Sequence, residues 1–481
     1  MFFNSIDFAV FLPIIFVLYW ALDKSKLQYQ NTVLLIASYL FYGWWDWRFL
    51  FLILFSTIVD YTIALRMEQT ENQQHRKRWL WLSLGVNLGL LGVFKYYNFF
   101  VDNFIAAFSF FGSPISIQSL HIILPVGISF YTFQTLSYTI DVYRKDLKPT
   151  NNFIDFAAFV SFFPQLVAGP IERATNLLPQ FYTKHKFNES QATEGLRQIL
   201  WGLFKKMVIA DNCAVLANFT FDNPEMYGGS TLLLGAIFFS FQIYGDFSGY
   251  SDIAIGVAKL FGFKLMQNFA FPYFSRDIAE FWRRWHISLS TWFRDYLYIP
   301  LGGSRGGTAS KVRNTFIIFL VSGFWHGANW TYVVWGGLNA IYFLPLLLLK
   351  RNRKYTNDIA ANRYLPSLRE GFGILTTFIL TTLAWVFFRA KSLEAAFDYL
   401  GGIFSTSLLS IPTLSGRNTD MVVLMLLLVF FLVVEWIGRH KQFAISKLNL
   451  NPIGRYFLYL FIATLIFVFQ GEQQDFIYFQ F

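Results

Sequence analysis

Charge and thiols are scarce in this chain. Only 14% of its 481 residues are Asp, Glu, Lys or Arg, and Cys213 is its single cysteine. One cysteine excludes an intramolecular disulfide and any metal cluster that is built on paired thiolates. The charged fraction lies far below the roughly 25% that is typical of soluble domains, which excludes an ordinary water-soluble fold.

Sequence motifs for metals and phosphates are missing as well. The chain has no His and Cys spacing of a zinc site, no GxxxxGK[ST] phosphate loop and no GxSxG nucleophile elbow. We therefore expect neither a metal ion nor a bound cofactor.

Long apolar runs are what the chain has instead. Hydrophobic residues make up 55% of the sequence and aromatic residues 21%. About eleven runs approach the length of about 20 residues that crosses a bilayer core. They lie at 8–22, 31–45, 49–65, 79–94, 120–140, 232–261, 314–324, 332–349, 372–388, 422–436 and 456–469. Because no polar stretch is long enough for a soluble domain, residues 1–481 are predicted to form a single all-α polytopic membrane domain.

The flanks of these runs predict the topology. Asn4 and Asp7, rather than basic residues, flank the first run, and no small-residue cleavage site follows it, so we predict a retained helix and not a signal peptide. Basic residues cluster between the runs, at 23–26, 66–78, 144–148, 350–354 and 439–447. Placing these clusters in the cytoplasm puts both termini outside. The number of crossings is then even, which predicts that the run 232–261 turns back near its glycines. The same distribution argues against nucleic-acid binding, despite the net charge of +10.

Residues 159–173, FVSFFPQLVAGPIER, interrupt the pattern of simple hairpins. Pro164, Gly169 and Pro170 lie inside an apolar stretch that is too short to span a bilayer. This composition favours a re-entrant or interfacial piece that is buried in protein, with a connecting loop as the alternative.

Residues 275–307 form a second interruption. If this segment is a helix that is capped by Ser275 and ended by Pro300, its apolar residues form a stripe on one face. The stripe consists of Phe281, Trp285, Leu289, Trp292 and Tyr296. We predict a helix that lies in the cytoplasmic membrane interface. An ordinary surface helix of a membrane bundle explains the stripe equally well, but it leaves His286 unexplained.

His326 lies between two apolar runs, in the stretch SGFWHGANW. Gly323 and Gly327 flank it, and small residues allow helices to approach closely or the backbone to bend. An ionisable group within a membrane segment is costly, which favours a functional role. Since burial disfavours the imidazolium, a neutral His326 could accept a proton from a hydroxyl as a general base. The alternative is a structural histidine that is hydrogen-bonded between helices.

Two acids, Asp246 and Asp252, also lie in an apolar run. They are six residues apart and fall on different helical faces, which argues against paired acid and base catalysis. Carboxylates at membrane depth are typical of a proton or cation pathway, so a transporter is the alternative to an enzyme. We favour a structural role, in which these acids cap broken helices or pair with arginines of the segment 275–307.

Two long motifs carry more information than periodicity does. They are FWRRWHISLSTWFRDYLYIPLGGSRGG, at 281–307, and SGFWHGANWTYVVWGG, at 322–337. Both resemble the signature of the membrane-bound O-acyltransferase superfamily, in particular its bacterial alginate O-acetylase branch. Stretches at 124–144, 162–173, 247–256 and 476–481 resemble that branch too. The resemblance implies a fold of about eleven transmembrane helices, with re-entrant and interfacial helices, around a central tunnel.

The resemblance also implies roles for individual residues. His326 matches the catalytic histidine of the family, and His286 matches a second motif residue. Acetyl-CoA would be the acyl donor, and its phosphates would meet basic side chains. Those side chains are Arg283, Arg284, Arg294, Arg305 and Lys311. His286, Asn329 or Trp325 would hydrogen-bond the developing oxyanion. Asp246 is also predicted to be a substrate-binding residue.

The resemblance implies the chemical class of the acceptor but not its identity. The branch resemblance predicts O-acetylation of an exported, alginate-like polysaccharide by a multi-pass protein of the bacterial cytoplasmic membrane. The extracytoplasmic loops are too short to hold a polymer, which favours transfer through an extracytoplasmic partner transferase over direct transfer. A hydroxyl of a protein, of peptidoglycan or of a lipid is the alternative acceptor.

Overall fold

The computed structural model describes residues 1–112, 120, 122–167, 169–361, 363–414, 416–448, 450–471 and 474–477. These residues form α-helices with short 3₁₀ and π segments and contain no β-strand, which confirms the predicted all-α class. Contacts divide the chain into two compact units. The first unit is Met1–Thr193 with Val257–Met266, and the second unit is Glu194–Gly256 with Gln267–Phe481. That the whole chain is a single domain stays a prediction.

Twenty α-helices follow one another along the described residues. The first ten are α1 (Ile6–Ala21), α2 (Leu27–Gly43), α3 (Leu50–Glu68), α4 (Gln73–Leu91), α5 (Tyr97–Phe110), α6 (Ile128–Arg144), α7 (Phe153–Ser161), α8 (Phe163–Leu166), α9 (Ala174–Leu177) and α10 (Glu189–Leu203). The others are α11 (Asp211–Asp222), α12 (Gly229–Leu260), α13 (Ile278–Arg284), α14 (Ile287–Phe293), α15 (Thr308–His326), α16 (Trp330–Leu348), α17 (Leu368–Arg389), α18 (Leu393–Ile403), α19 (Asn418–Gly438) and α20 (Pro452–Phe469). Two π segments, Phe204–Ala210 and Arg294–Tyr298, extend α10 and α14.

Six helices in the described part of the chain are long and apolar enough to cross a membrane. They are Trp47–Glu68, Gly229–Leu260, Trp330–Leu348, Leu368–Arg389, Asn418–Gly438 and Pro452–Phe469. The other predicted runs fall at least in part on helices that are shorter or more polar, such as α1 and α15. Of the described residues in the run 120–140, only those from Ile128 onward are helical. A multi-pass membrane protein is consistent with these helices, and about eleven crossings stay a prediction.

The prediction that the run 232–261 turns back on itself is wrong. The run belongs to α12, a continuous helix of 32 residues. Its glycines do not form a turn but allow close packing against a neighbouring helix. A Cβ at Gly249 would lie 2.8 Å from the carbonyl oxygen of Gly202, and a Cβ at Gly256 would lie 2.6 Å from that of Gly195. These glycines therefore let the backbones of α12 and α10 come into contact.

The single helix that was predicted from Ser275 is also wrong. The Asp277 carboxylate caps α13 by accepting from the backbone N–H of Glu280 at 2.7 Å. The helix stops after Arg284, and α14 begins only after His286, whose φ is 44°. Here the Ile287 N–H donates to the carbonyl oxygen of Asn268 at 2.8 Å. A backbone bond to a neighbouring segment thus replaces the helical bond and turns the chain at His286.

The aromatic stripe of this segment faces the protein interior. Phe281, Trp285, Leu289 and Trp292 are all buried. Trp285 packs against Trp385 of α17, with ring centroids 5.1 Å apart. The stripe therefore holds the broken helix against the second unit's own core, and its position relative to a membrane interface stays a prediction.

Residues 159–167 and 169–172 are buried within the first unit. The helix breaks at Phe162, between α7 and α8, and Phe159, Phe162 and Phe163 are fully buried. At the end of the segment, the Glu172 carboxylate accepts hydrogen bonds from the backbone N–H of Met266 and, at 2.6 Å, from the side chain of Asn176. A buried piece is therefore favoured over an exposed connecting loop.

Candidate active site

Both predicted catalytic histidines line one cavity in the second unit. The cavity has a volume of about 440 Å³ and is lined by residues of α13, α14, the segment Arg294–Tyr298, α15, α16 and the loop after α16. Its walls are mainly apolar and include Trp282, Leu289, Phe319 and Phe343. His286 and His326 also line it. The break at His286 therefore brings together two motifs that are separate in the sequence.

Basic side chains line the same cavity at a distance from the histidines. They are Arg294, Lys311, Lys350 and Arg353. Helix α15 fixes the spacing, because Lys311, Ser322 and His326 lie on one side of it, at intervals of eleven and four residues. The fifteen residues from Lys311 to His326 rise about 22 Å along the helix axis. The cavity is thus basic at one end and carries His326 at the other.

His326 is the last residue of α15 and is only 3% exposed. Its ring lies edge-to-face against Trp335 at 5.1 Å and against Phe388 at 5.3 Å. Two glycines make this enclosure possible, as expected from small residues. A Cβ at Gly323 would lie 2.2 Å from the carbonyl oxygen of Tyr332, and one at Gly327 would lie 2.1 Å from the Tyr332 ring. The glycines thus allow α15 and α16 to close around His326.

His286 connects α13 to α14 and is only 1% exposed. Its Nδ1 lies 3.1 Å from Oδ1 of Asn268, and its ring packs edge-to-face on Phe247 at 4.6 Å. Trp325 lies between the two histidines, 6.2 Å from the His286 ring and 4.9 Å from the His326 ring. His286 is outside the six candidate membrane spans. Burial lowers the pKa of His286 to about 3, so the ring is neutral at physiological pH.

The predicted donor-binding arginines and Lys311 separate into residues that line the cavity and residues that do not. Arg294 and Lys311 line the cavity. Arg283 donates to the carbonyl oxygens of Asn352 and Tyr355, at 2.8 and 2.7 Å, and so holds the loop that carries Arg353. Like Arg283, the remaining two are not among the residues that line the cavity. Arg284 pairs with Glu280 at 3.0 Å, and Arg305 lies on an exposed turn. A role of these side chains in donor binding stays a prediction.

The other predicted binding residues are not part of the cavity wall. Asn329 caps α16 by accepting from the backbone N–H of Thr331 at 3.0 Å, and it donates to the carbonyl oxygen of Lys391 at 3.1 Å. Trp325 is buried beside both histidines. Asp246 accepts from the backbone N–H of Ile477 at 2.7 Å. None of the three lines the cavity.

The two membrane-depth acids pair with lysines. Lys205 lies 2.6 Å from Asp252, and Lys206 lies 2.8 Å from both Asp246 and Asp211. The expected pairing with arginines of the segment 275–307 is therefore wrong. The π segment Phe204–Ala210 explains the difference, because its wider turn lets consecutive lysines both reach acids on α12. These pairs support a structural role for Asp246 and Asp252.

Some residues of the site were not predicted from the sequence. Lys350 and Arg353 belong to the basic cluster 350–354, which was interpreted only as a topology signal. Ser322 lies one helical turn before His326 and is 7% exposed. Its spacing of four residues from His326 could have predicted that both side chains lie on the same side of the helix. Asn268 has no such signal, because only the fold brings it next to His286.

The helices are those of a multi-pass membrane protein, and comparisons with known proteins show which class of protein carries this histidine site. The model of the MBOAT family, membrane-bound O-acyltransferase, matches residues 148–375. The chain is 39% identical to a probable alginate O-acetylase, AlgI, from Pseudomonas putida, over the full length of both proteins. The chain belongs to the membrane-bound O-acyltransferase family. It is therefore an O-acyltransferase, which argues against the transporter alternative.

Relatives with other activities are also similar to this chain. The chain is 38% identical to a peptidoglycan O-acetyltransferase of Helicobacter pylori, over 86% of this chain and 81% of that protein. It is 30% identical to a teichoic acid D-alanyltransferase of Streptococcus thermophilus, over 55% of this chain and 68% of that protein. These relatives differ in acyl group and in acceptor, so the family alone does not fix either.

Proposed function

We propose that this protein takes an acetyl group from cytoplasmic acetyl-CoA and transfers it to a hydroxyl on the outer side of the membrane, for O-acetylation of an exported polysaccharide. The observation that carries the proposal is the cavity with basic groups at one end and His326 at the other, about 22 Å apart along α15. Acetyl-CoA has the matching layout, since its phosphates and its thioester lie at opposite ends of a long pantetheine arm. The alginate O-acetylase relatives support the acetyl group and the polysaccharide.

Each part of the cavity has a task in this reaction. Arg294, Lys311, Lys350 and Arg353 bind the donor phosphates with charge-assisted hydrogen bonds. The aromatic walls cover the arm and exclude water from the thioester. The acetyl carbonyl then lies beside His326 at the closed end.

His326 acts as the general base. It takes the proton of the acceptor hydroxyl, and the hydroxyl oxygen forms a bond to the acetyl carbon. The bond between this carbon and the CoA sulfur breaks, and the proton passes from His326 to the leaving thiolate, so the products are the ester and free CoA. Ser322, one turn away on the same side of α15, donates a hydrogen bond to the developing oxyanion.

The acceptor hydroxyl belongs to an extracytoplasmic partner transferase, which passes the acetyl group to the polymer. This step follows the expectation from the short outer loops. Location in the bacterial cytoplasmic membrane, with both termini outside, is part of the same proposal, because the basic clusters between the helices would then face the cytoplasm.

The test is a histidine substitution in a host that makes the polymer. We expect His326→Ala to lower ester-linked acetate on the exported polysaccharide by about 10²-fold or more, the usual contribution of a general base. Acetate is released by mild alkali and quantified, with membrane abundance measured in parallel. His440→Ala is the matched control, because this exposed histidine pairs with Asp358 and is not among the residues that line the cavity.

Two other outcomes are informative. Unchanged acetate in His326→Ala, at equal abundance, would overturn the assignment of the base. The 38% identity to a peptidoglycan O-acetyltransferase favours a second acceptor, so acetate is also measured on peptidoglycan of the same strains. Loss from peptidoglycan alone would keep the base assignment and replace the acceptor.

A further inference from the structure

Asn268 is a fully buried amide that the proposed reaction does not use. It lies in the segment between α12 and α13. Its Nδ2 donates to the Ser251 hydroxyl at 3.0 Å, and its Oδ1 lies 3.1 Å from Nδ1 of His286. The amide therefore connects α12 to the turn that carries His286.

Hydrogen bonds to Ser288 establish which atom of the Asn268 amide faces His286. The backbone N–H of Ser288 donates to Oδ1 at 3.3 Å, and the Ser288 hydroxyl donates to the same oxygen at 2.9 Å. A backbone N–H cannot accept a hydrogen bond, so the atom that it meets must be the amide oxygen. His286 therefore faces an oxygen that can only accept.

The position of this oxygen determines the tautomer of His286. Nδ1 must carry the hydrogen, because an unprotonated Nδ1 would place its lone pair against the lone pairs of Oδ1. The Ser288 oxygen, 3.4 Å from Nδ1, can share the same hydrogen. A neutral imidazole has only one N–H, so Nε2 carries a lone pair.

The surroundings of the ring keep it neutral. Phe247 of α12, Phe269 beside Asn268 and Trp325 of α15 pack around it. The titratable groups other than Lys and Arg that share its cavity are His326 and Tyr298, and the charged groups that line the cavity are those of Arg294, Lys311, Lys350 and Arg353. Burial among these rings disfavours the charged imidazolium.

We infer that Asn268 is a positioning residue that holds His286 as the Nδ1–H tautomer, so that His286 accepts a hydrogen bond or a proton from bound substrate and does not donate to the oxyanion. The same logic orients the histidine of Cys-His-Asn proteases, where an amide oxygen accepts from the imidazole. This inference changes the expected role of His286 as an oxyanion donor and leaves that role to Ser322. Its catalytic consequence rests on the proposed function.

Two substitutions of similar size test the inference. Asn268→Asp keeps an oxygen that accepts from Nδ1–H, whereas Asn268→Leu removes it. The assay uses inside-out membrane vesicles of the native host, radiolabelled acetyl-CoA outside, and label incorporation between pH 5 and pH 8. We expect Asn268→Leu to lose on the order of 10²-fold in rate at every pH, since the tautomer is no longer fixed. Asn268→Asp should approach the wild-type rate near pH 8.

The pH profile separates a positioning role from a merely structural one. A carboxylate beside His286 favours the imidazolium and raises the pKa of His286 above its wild-type value. Protonated His286 cannot accept, so the activity of Asn268→Asp should fall as the pH decreases through that raised pKa, at a higher pH than in wild type. Equal losses in both variants at all pH values, or higher activity of Asn268→Asp at low pH, would overturn the inference.

A direct measurement keeps the inference falsifiable if a variant fails to fold. Solid-state NMR of the wild-type protein in lipid bilayers, with ¹⁵N-labelled histidine, distinguishes protonated from unprotonated ring nitrogens. His286→Gln identifies the His286 signals by their loss. We expect a protonated Nδ1 and an unprotonated Nε2, and the reverse pattern would contradict the inference. If wild-type vesicles transfer no label from acetyl-CoA, the proposed donor is wrong, while the NMR result still decides the tautomer.

Discussion

Gly323 shows how much one residue contributes to the position of His326. A Cβ there would lie 2.2 Å from a backbone oxygen of Tyr332, on the neighbouring helix. A Cβ at Gly337, on the same helix pair, would first meet the flexible Leu320 side chain, at 3.7 Å. A backbone oxygen cannot rotate away as a side chain does, so only the first position requires α15 and α16 to move apart.

We therefore expect Gly323→Ala to destabilise the protein by about 1–3 kcal/mol, the usual cost of overpacking. Activity should fall as well, because His326 lies three residues further along α15. The midpoint of thermal unfolding in detergent and acetyl transfer in vesicles are the measurements. Gly337→Ala should behave like wild type, and equal effects of the two substitutions would contradict the argument.

Sequence reasoning reached some of these residues and not others, for a physical reason. His326 and His286 lie inside long motifs, and the glycines around His326 predict close helix packing, so the local chain contains the signal. Asn268 is eighteen residues from His286, and the backbone bond from Ile287 to Asn268 that joins their segments forms only in the folded chain. Contacts of this kind form only in the folded chain, so they cannot be identified from a single sequence.

At the scale of elements, the loop after α16 completes the basic end of the cavity. It contributes Lys350 and Arg353, and Arg283 holds it through two backbone carbonyl oxygens. Arg353 and its neighbour Lys354 are both exposed, but only Arg353 lines the cavity. A substitution by Glu therefore makes the same charge change at both positions, but only position 353 can contact a phosphate that is bound in the cavity.

We expect Arg353→Glu to raise KM for acetyl-CoA by about 10-fold, which corresponds to about 1.4 kcal/mol of binding free energy. The rate at saturating donor should change little, because the phosphates lie far from the reacting carbon. Initial rates in inside-out vesicles over a range of acetyl-CoA concentrations provide both constants. Lys354→Glu should leave KM unchanged. A similar KM increase in both variants would indicate a general field effect, and no increase in either would argue against this end as the phosphate site.

Element boundaries were the least predictable part of the fold. The apolar runs correctly indicated where helices form, because burial in a bilayer demands long hydrophobic stretches. The glycines in α12 were misread, since the same residues can turn a chain or let two helices touch. Only the packing partner, here α10, decides between the two uses.

At the scale of the whole molecule, the direction in which the helices cross decides whether the cavity can meet its donor. The basic clusters 350–354 and 439–447 predict that both lie in the cytoplasm. Helices α17 and α19, which are candidate spans, lie between these clusters. The segment between α18 and α19 must then be outside, and Leu409 in this segment is 95% exposed.

Cysteine labelling tests this topology. Cys213 is fully buried and should not react, so the wild-type protein provides the background. We expect Leu409→Cys to react with a membrane-impermeant thiol reagent in intact cells with a permeable outer envelope, and Lys354→Cys to react only after the cytoplasmic membrane is opened. The reverse pattern would place Arg353 and the basic end of the cavity outside, where acetyl-CoA is absent. The cavity could then bind no cytoplasmic donor through these groups, and a donor from the outer side would have to replace acetyl-CoA.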